Sequence, residues 1–108
     1  MIEMFKALSE ENRLRILALL LEEEMCVCEI EASLRMTQSN ASRHLTALRK
    51  SGILESYKNA QWAYYRINET FKIEHKELWD YLQIKLKEIP TYKSDYKAYK
   101  IVKAQNLC

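Results

Sequence analysis

The stretch from Thr37 to Ile67 constrains the fold more than any other part of the chain. Thr37 suits a helix N-cap, and a helix is expected from Gln38 to Ser51. Ala41, Leu45 and Leu48 form its inward face, while Ser39, Ser42, Arg43 and Thr46 repeat at helical spacing roughly opposite. Gly52 fits the left-handed position that closes a helix. Two strand-like runs follow at once, Ile53 to Tyr57 and Trp62 to Ile67, rich in aromatic and branched residues. Lys58-Asn59-Ala60-Gln61 links them as a hairpin, with Asn59 able to take a turn conformation. Few architectures place a hairpin directly behind a polar-faced helix.

The flanking segments narrow the choice. Residues 2 to 8 form a short amphipathic helix (Ile2, Phe5, Leu8). Ser9 is expected to cap a second helix, with Glu10 and Glu11 in its first turn and an apolar face of Leu14, Leu17, Ala18 and Leu21, ending near Glu24. Cys26 to Leu34 reads as a short third helix, with Ile30 and Leu34 inward. From Thr70 to Ile89 a stripe of Leu78, Trp79, Leu82, Leu86 and Ile89 predicts one helix, stopped by Pro90. In the Lys- and Tyr-rich remainder, Tyr92, Tyr96 and Tyr99 can share one side of a further helix. Gly52 and Pro90 are the one glycine and the one proline, too few turn residues for a many-stranded fold. The expected class is mainly α with a β-hairpin wing, in the order helix-helix-helix-helix-strand-strand-helix. Helices three and four, separated by Arg35-Met36-Thr37, make a helix-turn-helix, and the hairpin is its wing.

A chain of 108 residues holds one domain, and 48% hydrophobic residues argue against disorder. No run approaches the ~18 to 20 apolar residues of a membrane span, so no membrane partner is expected. Met1 to Lys6 lacks a basic segment leading into an apolar one, which predicts a cytoplasmic protein. The net charge of +2 is too small to imply nucleic acid by itself. Its distribution says more: residues 22–31 are acidic, whereas Arg43 to Lys58 and Lys93 to Lys103 are mainly basic, as suits one cationic face. Three cysteines are an odd number, and a reducing cytosol keeps them as thiols.

A helix with an apolar back and a front of short polar and cationic groups suits the major groove of double-stranded DNA. Gln38, Ser39, Asn40, Ser42, Arg43 and Thr46 are candidate base or phosphate contacts, and Arg49, Lys50 and Lys58 candidate phosphate contacts. His44 lies beside the apolar face, open to a packing role or a DNA contact. A solvated helix face is the plainer alternative. It loses ground because a turn precedes this helix and a wing follows it. Cys26 and Cys28 stand two residues apart at a helix start, where both sulfurs can turn toward one soft ion. The plainer alternative there is a pair of small buried hydrophobes.

Several segments together are identified with one family. Ser42-Arg43-His44-Leu45-Thr46-Ala47-Leu48-Arg49-Lys50-Ser51-Gly52-Ile53-Leu54 resembles the recognition helix of the ArsR/SmtB metal-responsive repressors. Leu8-Ser9 with Asn12-Arg13-Leu14-Arg15-Ile16-Leu17 resembles the second helix of that family, and Trp62-Ala63-Tyr64-Tyr65-Arg66-Ile67 its second wing strand. Many members carry glycine at the wing tip, where this chain has Asn59-Ala60. The resemblance implies an operator-binding homodimer joined through its first and last helices, here through Ile2, Phe5, Leu78, Trp79, Leu82, Leu86 and Ile89. It divides the chain into a DNA-binding and dimerisation unit, 1–90, and a tail, 91–108.

Cys26-Val27-Cys28-Glu29 is similar to the arsenite-sensing motif of ArsR-type repressors, which implies As(III) as inducer and no required cofactor. Sb(III), cadmium, lead or bismuth are alternatives that sulfur softness does not rank. Arsenite takes three thiolates. In some members the third lies three residues after the second, a position occupied here by Glu31. Cys108 is the remaining thiol and the candidate third ligand: a fully helical tail would span about 27 Å at 1.5 Å per residue, enough to reach the pair of its own or the partner subunit, the plainer alternative being an incidental thiol at a frayed terminus. The zinc or nickel site of other members is not expected, since the last helix offers Glu74, Glu77 and Asp80 but a single histidine, His75. A thiol redox switch and a protein-binding winged helix are rival readings. No glycine-rich phosphate loop or nucleophile–base set points to an enzyme.

Overall fold

The computed structural model describes residues 1–106. Helices α1 (Ile2–Leu8) and α2 (Glu11–Leu20) lead into a two-residue strand, β1 (Met25–Cys26), and then α3 (Val27–Leu34) and α4 (Gln38–Lys50). Strands β2 (Leu54–Asn59) and β3 (Trp62–Ile67) form the wing. Helices α5 (Glu69–Glu74) and α6 (Lys76–Lys85), a 3-10 turn (Leu86–Glu88) and α7 (Tyr92–Gln105) complete the described chain. The winged helix-turn-helix is as expected.

The core gathers Ile16, Leu17, Leu19 and Leu20 of α2 with Ile30 of α3, Leu45 and Leu48 of α4, and Ile53 and Leu54 at the wing root. This explains why α4 keeps its polar face outward: the apolar back is fully used against α2 and α3. Thr37 caps α4 as expected, its Oγ1 accepting the Asn40 N–H at 3.2 Å. At the other end Gly52 has φ +89, and the N–H groups of Gly52 and Ile53 reach the carbonyls of Arg49 and Leu48. That pair of bonds is a Schellman closure. It turns the chain straight into β2.

Four local expectations need correction. Ser9 does not cap α2: its Oγ donates back to the Lys6 carbonyl at 2.7 Å and ends α1, while Glu10 takes the N-cap position. The third helix begins at Val27, because Cys26 belongs to β1 and pairs with Tyr64 of β3. The sheet is therefore three-stranded, in the order β1-β3-β2 and antiparallel throughout. The wing turn puts the positive φ on Ala60 (+59), not on Asn59. With Asn59 opposite Trp62, Ala60 and Gln61 form a two-residue loop whose first residue carries the positive φ. Finally, the expected helix from Thr70 to Ile89 breaks at His75 (φ -124, ψ 49). Phe71 and Trp79 then meet edge to face across the break, with centroids 6.3 Å apart.

The Tyr-rich segment is α7, laid across α2 and α3. Tyr99 and Val102 enter the buried interior, and Arg15 of α2 donates from Nε and Nη2 to Asp95 at 2.9 and 2.8 Å. No helix is long and apolar enough to cross a membrane among the described residues.

Candidate nucleic-acid interface and thiol site

Ser39, Arg43, Thr46 and Lys50 recur along α4 at steps of four, three and four residues, opposite the buried Ala41, Leu45 and Leu48. Gln38, Asn40, Ser42 and Arg49 are also exposed and flank this stripe. Lys58 is exposed near the wing tip. The surface these side chains share is polar and cationic.

His44 does not belong to that surface. It is 1% exposed and accepts the Arg13 Nε–H on Nδ1 at 3.2 Å. Burial holds its imidazole below the ordinary value, and the Arg43 charge pushes in the same direction. Behind it, Glu10 pairs with Arg13 at 2.7 Å and lies 3.7 Å from Arg43. Sequence reasoning passed over Arg13 and Glu10, which tie α2 to the recognition helix. The available signal was a charged residue, Arg13, next to the apolar stripe of α2.

At the start of α3 the sulfurs of Cys26 and Cys28 stand 3.0 Å apart, and Cys28 is disulfide-bonded where a thiol was expected. Val27 separates them in sequence, yet Cys26 is still in extended backbone (φ -78, ψ 159) while Cys28 is in the first turn. That change of conformation between neighbours brings both sulfurs to one side. Cys26 is also the N-cap: its side chain accepts the Glu29 main-chain N–H, and Glu29 Oε1 accepts the Cys26 N–H at 3.0 Å. Glu29 thus fixes the position of Cys26, a role legible in the spacing of cap and third residue. Burial pushes the Cys26 thiol up, and the Glu29 N–H on the sulfur pulls part of that shift back.

Among the described residues no three His, Cys, Asp or Glu side chains converge as a metal site. The described chain therefore contributes a two-sulfur pair, and Glu31 is not drawn into it. Cys108, the expected third thiol, lies outside the described residues.

The expected dimer surface is partly redrawn. Ile2 and Phe5 are 71% and 52% exposed, but Leu82 and Leu86 are 7% and 3% exposed. Both belong to the interior, and Leu78, Trp79 and Ile89 are half-buried against it. The apolar stripe of this region thus faces its own core. The exposed apolar residues there are Ile73, Tyr81 and Ile84.

Residues 10–56, which span α2 to the first half of β2, match the family described as bacterial regulatory protein, arsR family. A homodimeric winged helix-turn-helix DNA-binding domain from Mycobacterium bovis, described as a possible ArsR-family transcriptional regulator, superposes with a TM-score of 0.68 at 30% identity, over 82% of this chain and 80% of that one. The chain belongs to the ArsR family. Two curated relatives carry named roles. The arsenical resistance operon repressor of Escherichia coli is 44% identical over 68 residues, 62% of this chain and 58% of the relative. The cadmium resistance regulatory protein CadC of Listeria innocua is 44% identical over 64 residues, 58% of this chain and 54% of the relative. The chain spans a little over half the length of these relatives. They are transcriptional regulators, not enzymes.

Proposed function

We propose that this ArsR-family chain is a homodimeric, cytoplasmic transcriptional repressor that binds double-stranded operator DNA without ligand and leaves it when As(III) joins its cysteines. The observation that carries the reading is the Cys26–Cys28 pair, 3.0 Å between sulfurs, at the first turn of the helix-turn-helix. The name of the Escherichia coli relative points the same way.

Arsenite and a bare dication differ in what becomes of the thiol protons. Arsenous acid carries its own hydroxide, so each As–S bond removes one thiol proton and one hydroxide as water. A dication binds only after the thiol has lost its proton to solvent, and burial opposes that loss at Cys26. Sb(III) shares the hydroxide chemistry. Cadmium is the second reading, favoured by the CadC relative. Ligand must bind the DNA-incompetent form more tightly, or it shifts nothing.

On the DNA side, Ser39, Ser42, Arg43 and Thr46 face the bases, with Gln38 and Asn40 at the helix entry. Arg49, Lys50 and Lys58 hold phosphates. His44 supports the helix from beneath. In the dimer, Ile2 and Phe5 of α1 join Ile73, Tyr81 and Ile84 of α5 and α6. Met4 lines one small cleft with Phe71 and His75, which places α1 beside the α5–α6 break.

Cys108 is the proposed third sulfur. Titrating arsenite into the operator complex of Cys108→Ser tests it: release demanding at least about tenfold more arsenite, equivalent to 1.4 kcal/mol, is expected. Release at the wild-type concentration would remove Cys108 from the site.

A further inference from the structure

Glu22, Glu23 and Glu24 join α2 to the strand that carries Cys26, and their partners divide between two parts of the molecule. Glu22 and Glu23 hold the C-terminal region: Tyr92 donates to Glu22 at 3.4 Å, Lys87 lies 3.7 Å from it, Tyr99 donates to Glu23, and Lys103 reaches both Glu23 oxygens at 2.6 and 2.8 Å. Glu24 instead holds the wing. Tyr57 of β2 donates to it, and Arg66 of β3 lies 3.7 Å away. Tyr57 and Arg66 are themselves joined, with the guanidinium 4.9 Å from the ring centroid. Tyr57 stacks on Tyr64 at 5.5 Å, and Tyr64 is the residue opposite Cys26 in the β1–β3 ladder.

From this cluster we infer that Glu24 is a positioning residue that sets the wing for DNA and releases it when the thiol site is filled. The proposal rests on the sensing function proposed above. Cys26 is at once a ligand, the N-cap of α3 and one of two residues in β1. A ligand that reorients its sulfur disturbs the cap and a two-residue ladder that has little strength of its own. On its other side the turn is held by Glu22 and Glu23, which are tied to Tyr92, Tyr99 and Lys103. The displacement passes to Glu24 and on to both wing strands, and Lys58 lies next along β2 from Tyr57.

The test is operator affinity at fixed salt, with and without saturating arsenite, for wild type, Glu24→Gln and Tyr57→Phe. Glu24 is solvent-exposed and Tyr57→Phe keeps the half-buried ring, so both variants are expected to fold, which circular dichroism checks. Without the Glu24 carboxylate to hold the wing, affinity in the absence of ligand falls at least about fivefold, toward the arsenite-saturated wild-type value, and arsenite then changes it little. Tyr57→Phe, which keeps every charge, moves the same way. A carboxylate acting only as a negative charge near DNA predicts the opposite sign: Glu24→Gln would then bind DNA as well or better, with the arsenite ratio unchanged, and the proposal would be overturned. If wild type ignores arsenite, the sensing function fails separately. The ligand-free affinities then decide the wing role of Glu24, a fall supporting it and a rise or no change ending it.

Discussion

Arg13 donates to a histidine that sits inside the protein, and the burial of that imidazole makes stability sensitive to pH. Desolvation holds His44 below its ordinary value, Arg43 and Arg13 push the same way, and Glu10 pushes back. Its folded-state pKa is thus lower than the unfolded value near 6.5. Below about pH 6.5 the unfolded chain takes up the proton first, so stability falls as pH drops through that value and is insensitive to this group above it. Thermal unfolding between about pH 7.5 and 5.5 should show this loss in wild type, and His44→Asn should lack that part of it. An identical slope in both would assign the pH dependence elsewhere. In sequence His44 stood between packing and DNA contact, because a residue at the edge of a helical stripe has no assigned side until its neighbours are placed. That the sulfurs of Cys26 and Cys28 come together was legible from their spacing at a helix start. The support that Glu29 gives Cys26 was encoded in the same four residues.

Among the elements, helices α1 and α4 match their expected bounds, whereas the two-residue β1 and the break within the Thr70–Ile89 stripe were not foreseen. Helix α4 has a cap, a stripe and a closing glycine, and its expected bounds are met within a residue. Strand β1 has two residues, too few for any alternation to register. The break at His75 involves neither proline nor glycine, the usual signals of a helix end, so the apolar stripe ran across it unmarked. At the wing tip a turn that favours glycine is made with Ala60 at φ +59. An alanine there costs about 1 to 2 kcal/mol, while glycine costs about 0.4 to 1 kcal/mol through the freedom of the unfolded chain. Ala60→Gly should therefore stabilise the protein by about 0.5 kcal/mol, read as a raised urea midpoint. A lowered midpoint would mean that the turn does not hold this conformation in solution.

For the whole molecule, fold class and family were legible because the helix-turn-helix and its wing lie in one unbroken stretch of sequence. The burial of Leu82 and Leu86 was not, because the same apolar stripe can face a partner or its own core, and only tertiary placement decides. Here Leu82 and Leu86 face inward, leaving Ile2, Phe5, Ile73, Tyr81 and Ile84 exposed. Replacing Ile84 with Asp should leave the fold intact, shift sedimentation toward monomer, and weaken operator binding at least about tenfold, since two recognition helices must span about 34 to 36 Å of DNA together. An unchanged dimer would move the interface elsewhere. The central claim is that sulfur chemistry at the start of α3 governs DNA affinity. It is tested most directly by fluorescence anisotropy of operator DNA at fixed salt, with arsenite titrated into wild type and Cys26→Ser. The account predicts that arsenite releases wild type, with affinity falling by about 5- to 150-fold, and leaves Cys26→Ser bound. Equal operator affinity with and without saturating arsenite in wild type, or release that persists in Cys26→Ser, would contradict it.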